Sequence, residues 1–278
     1  MISKNTIAYI RSLHDKSARL SEGVFLVEWR KCMGEFMDSD FEIVEGFFSG
    51  EFATQKEYQF PYQIVTVAEL ARITTLTSND SGVLIVKMKH QKPGLLRTSQ
   101  WQSPRELILI LDRINDPGNL GTIIRIADWY GVSEIICSPD TVDCYNPKVL
   151  MATMGSFTRV SIWYTDLEEY LVSVIAKNDQ VQEDKKIETT GLLRTSQWQK
   201  QSEVSRPKIY GAYLDGESTH TKDWWTGWGY LVIGSEAHGI SANLEQYITD
   251  KVTIPRFGLA ESLNAGVATA VILDRMRG

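Results

Sequence analysis

Three stretches of the sequence place small, polar or charged residues directly after an apolar run, which is where ligands bind in parallel α/β sheets. In the first stretch, INDPGNLGTIIRIADWYG, Asn119 suits the N-cap of a helix and Arg125 follows six residues later. We expect Arg125 to lie near the same helix face as Asn119 and to point back toward the strand ends. Because an arginine among isoleucines is costly to bury alone, the stretch predicts either an anionic ligand or a partly exposed guanidinium.

The second and third stretches add a carboxylate and a cluster of small polar residues. In YLVIGSEAHGIS, Glu236 comes immediately after an apolar strand, where it either serves an active site or complements the dipole of a following helix. In VTIPRFGLAESLNAGVA, the residues Ser262, Leu263 and Asn264 start an apolar helix that we expect to be buried. Small polar residues at such a helix mouth can hold a neutral or zwitterionic ligand by hydrogen bonds.

Several other kinds of site lack their sequence patterns. There is no GxGxxG after a first strand, no GxxxxGK[ST] phosphate loop and no GxSxG nucleophile elbow. The four histidines and three cysteines show no metal-ligand spacing, so we expect no metal site and interpret the cysteines as reduced thiols of a cytoplasmic protein. The apolar runs are too short to span a bilayer, so we expect no membrane segment.

The elements that position these stretches follow from the alternation of apolar runs and helical patterns after residue 105. The strands are nearly continuous apolar runs, as expected when both faces of a parallel sheet are buried. We therefore predict an α/β domain over residues 105–278, with a parallel sheet and helices on both faces. Residues 178–207 are polar and aperiodic, and predict an inserted surface loop.

The first part of the chain is different in pattern and charge. Residues 1–90 predict a small α/β unit, and residues 91–104 predict a linker. The net charge of −6 argues against a surface coated for nucleic acid. Residues 1–31 nevertheless carry six basic and three acidic side chains, an excess of +3. Charge alone favours a solvated helix face there over a nucleic-acid-binding patch.

The nonapeptide GLLRTSQWQ occurs twice, at residues 94–102 and 191–199. Two copies with unrelated neighbours do not make an architectural repeat. Both fall in predicted linker or loop segments, where insertions are tolerated. A local duplication is therefore the favoured interpretation over a pair of matched binding epitopes.

In this order, NLGxxxR, GSExxG and IPxxGxxxSLN resemble the SpoU/TrmH family of RNA ribose 2′-O-methyltransferases. The resemblance covers about residues 106–276 and extends to RSLHDKSARLSEGVFLVEWRK, which is similar to the family's RNA-substrate-binding domain. It implies a SPOUT fold, in which the second and third stretches form a deep trefoil knot at the C-terminal end. It also implies a homodimer with each active site near the subunit interface.

The resemblance implies S-adenosylmethionine as the cofactor, bound in the knot by residues that include Gly234, Ile254 and Leu263. It assigns the polar catalytic site to Asn119, Arg125, Glu236, Ser262 and Asn264. It assigns RNA contacts to basic residues of the N-terminal unit: Lys16, Arg19, Arg30 and Lys31. Ribosomal RNA is favoured over transfer RNA, because the N-terminal unit resembles that of ribosomal RNA enzymes.

Transfer to a ribose 2′-hydroxyl requires that hydroxyl to lie in line with the sulfonium methyl group. Positioning and a cation near the developing alkoxide can supply most of the help. A guanidinium hardly deprotonates, so we favour Arg125 as a group that holds an RNA phosphate or the oxyanion rather than as the base. Asn119 and Glu236 would then orient Arg125 and the ribose.

The sequence departs from the family pattern in places, among them Arg256 after IP and Ala265–Gly266 after SLN. Trp29 stands where a glycine usually follows the VE pair, and Met151 stands where many relatives have an arginine after PKVL. Two alternative functions stay open: a non-catalytic RNA-binding protein on the same fold, and an enzyme that acts on a small molecule. The complete polar set argues against the first, and the basic N-terminal unit argues against the second.

Overall fold

A computed structural model of the protein describes residues 2–55, 57–89, 107–176, 207–224 and 229–277. Within these residues the chain forms two β-sheets covered by helices. Both copies of the repeated nonapeptide and the predicted linker lie outside the described residues. So does the predicted insertion 178–207, apart from Pro207.

The N-terminal unit is a small mixed sheet with helices around it. Its elements are α1 (Lys4–Ser12), α2 (Lys16–Glu22), β1 (Val24–Val27), α3 (Arg30–Met37), β2 (Ile43–Ser49), α4 (Gly50–Ala53), β3 (Tyr62–Val65), α5 (Val67–Ile73) and β4 (Gly82–Lys87). The strand order is β1-β4-β2-β3, with only the β2–β3 pair parallel. Helix α2 was not predicted from the polar stretch before β1; it ends at Gly23, whose φ of 67° suits a glycine C-cap.

The C-terminal unit is built on a parallel sheet, as the sequence predicted. Its elements are β5 (Leu107–Asp112), α6 (Pro117–Trp129), β6 (Glu134–Cys137), α7 (Pro147–Thr153), β7 (Ser161–Tyr164), α8 (167–176), β8 (Lys208–Ser218), β9 (Gly229–Gly234), α9 (Ala242–Glu245), β10 (Asp250–Thr253) and α10 (Ala265–Arg277). The strand order is β10-β8-β9-β5-β6-β7, and each neighbouring pair is parallel.

Both faces of this sheet are buried, which explains the nearly continuous apolar strands. Along β5, Leu109 and Leu111 lie in a core shared with α6, α7 and α10, whereas Ile108 and Ile110 lie in a core shared with α8 and α9. The expectation that α10 is buried on nearly all sides is wrong for one face, because Val267 is 49% exposed. Among the described residues, we find no helix with the length and hydropathy of a membrane span.

The two units share a core rather than meeting at a thin contact. Phe25 packs on Tyr145 with ring centroids 4.6 Å apart, and Phe36 packs on Phe157 with centroids 5.9 Å apart. The Cys32 thiol lies 3.5 Å from the carbonyl oxygen of Leu150 on α7. Aromatic packing of this kind fixes the orientation of the N-terminal sheet against the C-terminal unit.

A buried ion pair reinforces the same junction. Arg19 is only 2% exposed, and its Nη2 donates to Asp143 Oδ2 at 2.6 Å. Its Nη1 donates to the carbonyl oxygens of Leu13 and His14. The expectation that Arg19 contacts RNA is therefore wrong: its guanidinium is used inside the protein.

The Arg19–Asp143 pair gives a stability prediction. Replacing Asp143 by Ala leaves the Arg19 guanidinium buried without its carboxylate, which we expect to lower the free energy of unfolding by about 3–5 kcal/mol. Urea denaturation measures the change. Glu42→Ala removes the exposed ion pair with Lys87, whose side chains are 65% and 53% exposed, and serves as the control. Its cost should stay below about 1 kcal/mol. Equal costs for the two variants would contradict a special role for the buried pair.

Candidate active site

The three chemically distinctive stretches follow β5, β9 and β10, and the carboxyl ends of parallel strands lie at one edge of the sheet. β5 and β9 are hydrogen-bonded neighbours, and β10 lies two strands beyond β9. The segment 254–264 connects β10 to α10 without regular structure. It must therefore cross the strand-end edge to reach α10, which packs against α6.

The three stretches meet in one hydrogen-bonded cluster. Asn264 Nδ2 donates to Asn119 Oδ1 at 2.6 Å, and Asn119 Nδ2 donates to Glu236 Oε1 at 2.9 Å. The backbone N–H of Ala265 donates to the same carboxylate oxygen at 3.0 Å. Direct hydrogen bonds thus join side chains that are 117 and 145 positions apart in the sequence. We call Asn119, Glu236 and Asn264 the polar cluster.

Helix capping explains why the Asn119 side chain is available to the cluster. The predicted N-cap was Asn119, but α6 starts at Pro117 and its N-cap is Asp116. Asp116 Oδ1 accepts from the backbone N–H of Asn119 at 2.8 Å. Asn119 therefore sits in the first turn, where proline at N1 and an aspartate cap satisfy the helix start and leave the asparagine amide free.

Asn264 performs two tasks at the start of α10. Its Oδ1 accepts from the backbone N–H groups of Gly266 and Val267, which makes it the cap, and its Nδ2 reaches Asn119. Ser262, which the resemblance assigned to the polar site, is exposed and forms no hydrogen bond to another described residue. The structure brings Asn264 into the cluster and leaves Ser262 outside it.

A buried carboxylate, which the sequence interpretation missed, holds the second stretch in place. Asp112, at the end of β5, is 3% exposed and accepts from the backbone N–H and the hydroxyl of Ser241 at 2.7 and 2.6 Å. The sequence feature that could have identified Asp112 is an acidic residue at the end of an otherwise apolar strand. Such a residue is costly to bury unless donors meet it.

The backbone after β5 and β9 is also tightly constrained. Arg113 has φ of 58°, in the left-handed region that a non-glycine residue adopts at some cost, and its N–H donates to Ser138 Oγ. At Gly234 an added Cβ would lie 2.1 Å from the carbonyl carbon of Gly239. Ser235 and Gly239 pair with each other across the turn that carries Glu236.

Arg125 does not join the polar cluster within one chain. Its side chain is exposed and forms no hydrogen bond or ion pair with another described residue. The expectation that it shares a helix face with Asn119 is wrong, because six residues make about 1.7 turns and rotate the side chain by about 120°. Arg125 instead shares its face with Trp129, four residues later, which is 84% exposed.

The remaining basic residues predicted to contact RNA are on the surface of the N-terminal unit. Lys16, Arg30 and Lys31 are exposed. Arg30 lies over the ring of Phe52 at 5.2 Å and donates to Ser81 Oγ at 3.2 Å. These contacts hold the Arg30 stem without neutralising its charge.

The predicted cofactor residues line the same edge of the sheet. Ile254 is half-buried and Leu263 is 46% exposed, so both offer apolar surface in the segments that follow β10 and precede α10. The Thr219 hydroxyl is buried and has no hydrogen-bond partner among the described residues, and its backbone N–H donates to Thr253 next to Ile254. Apolar walls with an unsatisfied buried hydroxyl fit a cofactor that has an aromatic base and polar edges.

Gly234 gives a test of this edge. Gly234→Ala forces the chain apart at a backbone contact, so we expect a loss of about 1–3 kcal/mol of stability and weaker cofactor binding. Gly258→Ala is the matched control, because nothing lies within 4 Å of its added Cβ. Its stability should change by less than about 0.5 kcal/mol. Melting temperature and calorimetric titration with S-adenosylmethionine measure both effects, and unchanged values for Gly234→Ala would show that the turn is not tightly packed.

Relatives of known name span most of this chain. A family model described as the SpoU rRNA Methylase family matches residues 106–274. The 23S rRNA (guanosine(2553)-2′-O)-methyltransferase RlmP of Bacillus subtilis is 25% identical over 96% of this chain and 94% of its own length. Human mitochondrial rRNA methyltransferase 3 is 29% identical over 68% of this chain and 50% of its own length.

Solved structures share the arrangement of both units. A Porphyromonas gingivalis protein assigned to the TrmH family of RNA methyltransferases is 28% identical, with a TM-score of 0.76 over 100% of this chain and 98% of that one. The SpoU methyltransferase AviRb of Streptomyces viridochromogenes, solved with AdoMet, is 19% identical with a TM-score of 0.79 over 99% and 97% of the two chains, and this likeness concerns the fold. Because the family model matches more than half of its residues, the chain belongs to the SpoU rRNA methylase family.

Proposed function

We propose that the protein transfers the methyl group of S-adenosylmethionine to a ribose 2′-hydroxyl of ribosomal RNA, at the edge of the sheet where the polar cluster forms. The observation that carries this proposal is the convergence of Asn119 and Glu236 at 2.9 Å and of Asn119 and Asn264 at 2.6 Å. A non-catalytic RNA-binding protein would not need three separated strand ends to converge on one carboxylate. The relatives with the longest overlap also carry names of RNA methyltransferases.

Ribosomal RNA is the favoured substrate class. The Bacillus subtilis relative is named for 23S rRNA and covers almost the whole length of both chains. The human relative, which overlaps about half of its own length, is also named for rRNA. The nucleotide in the name of the Bacillus subtilis protein describes that protein, and we assign no target nucleotide to this chain.

The residues of the polar cluster suit positioning of a ribose. When bound, S-adenosylmethionine supplies an electrophilic methyl group. Glu236 Oε1 already accepts from Asn119 and Ala265, so its carboxylate fixes the first turns of α6 and α10 relative to each other. Amide groups held in this way can orient the 2′-hydroxyl in line with the methyl group, which accounts for a large part of the barrier lowering in such a transfer.

We further propose that Arg125 acts across a homodimer interface. Arg125 lies on an exposed face of α6 together with Trp129, and it makes no contact with the cluster of its own chain. The neighbouring α10 exposes Val267 beside this face, since an added Cβ on Gly266 would lie 3.0 Å from Thr122. An exposed apolar patch next to an unpaired arginine is typical of an interface between copies, where the arginine can reach the partner's substrate.

The trefoil knot and the division into domains are part of the same proposal. The segment 254–264 leaves β10 at the sheet edge and leads to α10, whose first residue donates to Glu236 in the second stretch. This route supports a chain that passes through the loop after β9. We propose that residues 1–90 form the RNA-substrate-binding domain, that 91–104 link it to the catalytic domain 105–278, and that the protein is cytoplasmic; its three cysteines carry free thiols.

Methyl transfer from labelled S-adenosylmethionine to total RNA tests the activity. RNA from cells that lack the protein should accept methyl groups, and mapping should locate them on ribose 2′-oxygens of ribosomal RNA. Incorporation into a base, or into no RNA at all, would contradict the proposed function.

Arg125 gives a second test. Arg125→Ala removes a cation near the developing charge, so we expect the rate of methyl transfer to fall on the order of 100-fold or more, while S-adenosylmethionine affinity is retained. Arg72→Ala, which removes an exposed arginine of α5, is the control and should leave the rate unchanged. A near-normal rate for Arg125→Ala would refute the role given to Arg125.

The interface gives a third test. Trp129→Glu places a charge in the exposed patch on α6, and we expect sedimentation velocity to show monomer where the parent protein is a dimer. Leu20→Glu is the control, because Leu20 is 60% exposed on the N-terminal unit. A parent protein that sediments as a monomer would rule out the proposed interface.

A further inference from the structure

A cavity lies between the two units, and none of the residues of the polar cluster lines it. Its volume is about 320 Å³. Its walls come from the start of α3, the loop after α5 and the outer side of α7. Trp29 and Met151 are both 37% exposed and line it from opposite units, although large apolar side chains are usually covered.

The cavity combines apolar surface with positive charge. Lys148 lines it and is exposed, and Arg30 and Lys31 follow Trp29 directly in the first turn of α3. None of these three basic side chains forms an ion pair with a described carboxylate. Thr75 and Thr77, also on the wall, are exposed and add hydroxyl groups.

The single carboxylate in the wall is committed to internal hydrogen bonds. Glu28 is 7% exposed, and its oxygens accept from the hydroxyl of Thr74 and from the N–H and hydroxyl of Thr75. It therefore holds the loop that forms one side of the cavity. Burial raises the pKa of the Cys32 thiol to about 11, so this part of the wall is neutral at pH 7.

The position of α7 connects this cavity to the polar cluster. Ala152 and the carbonyl of Val149 pack against Gly121, in the second turn of α6, so closely that an added Cβ would lie 2.5–2.6 Å from them. Lys148 and Met151 line the cavity from the same short helix. Helix α7 therefore lies between the cavity and the first turns of α6, which carry Asn119.

We propose that this cavity binds an unpaired nucleobase of the RNA substrate, with Trp29 as the stacking surface and Lys148 beside the adjoining phosphate. The proposal rests on the proposed function, which makes RNA the substrate. A base needs an aromatic or apolar wall, and a phosphate needs a cation without an internal partner. A purely apolar peptide would not use Lys148, and a double helix could not insert a base into a cavity of this size.

Binding of short labelled RNA tests the proposal. The probes are single-stranded heptaribonucleotides of random sequence and an abasic ribose-phosphate heptamer of equal charge, measured by fluorescence anisotropy. Trp29→Ala should weaken binding of the base-containing probe on the order of tenfold and leave the abasic probe unaffected. Trp29→Phe should restore most of the affinity. Lys148→Gln should weaken both probes and reduce the slope of log affinity against log salt by about 0.7.

The controls separate stacking from folding. Tyr9→Ala removes an aromatic side chain that is 38% exposed on α1, and it should bind both probes as the parent protein does. Met151→Glu places a negative charge at an exposed position of the cavity wall and should also weaken the base-containing probe, which covers the case in which Trp29→Ala fails to fold. Melting temperatures identify a folding defect.

The outcomes distinguish this proposal from the proposed function. If the parent protein methylates total RNA but Trp29→Ala and Met151→Glu bind both probes normally, the cavity does not bind a base and the enzymatic function stands. If the parent protein prefers the base-containing probe through Trp29 but methylates no RNA, the subsite stands and the enzymatic function fails. If Trp29→Ala folds with a lower melting temperature but binds both probes as the parent protein does, Trp29 serves packing only and the proposal is overturned.

Discussion

One carboxylate oxygen joins segments that follow three different strands of the parallel sheet. Glu236 Oε1 accepts from the Asn119 side chain and from the first backbone N–H of α10. Ala265 is 5% exposed, so its backbone N–H would cost on the order of 1–3 kcal/mol without this acceptor, whereas Glu236 itself is exposed. The sheet supplies the precondition, since only parallel strands bring the ends of β5 and β9 together. Asp112 supplies the second fixed point by holding Ser241.

The fold of the C-terminal unit was predictable because burial on both faces leaves a strong trace in the sequence. Strands such as β5 consist almost entirely of apolar residues, and proline marks the start of α6 and α7. The choice of cap was not predictable from residue type alone, because Asp116 and Asn119 are both good caps. Only the structure shows that aspartate takes the cap and releases the asparagine amide for the polar cluster.

Side-chain direction and burial account for the predictions that failed. Arg125 and Asn119 lie on the same helix, but their spacing of six residues puts them on different faces. The sequence of one chain does not show which side chains a second copy would bring to the polar cluster. Arg19 belongs to a basic segment, yet its guanidinium is buried against Asp143, which is 124 positions away. A count of basic residues measures charge, and it contains no information on which charges the fold uses internally.

The junction between the two units also depends on which charged side chains are buried and which stay exposed. Arg19 and the packing of Phe25 on Tyr145 fix the N-terminal sheet on the C-terminal unit, so the surface between them has a defined shape. Trp29 and Met151 are 122 positions apart, and the sequence alone does not relate them to each other. Both line one cavity together with Lys148, a cation that forms no ion pair with a described carboxylate, so the two positions share one physical setting. A rigid junction is what such a cavity requires, because an aromatic wall can select an unpaired base only if both of its sides stay in place.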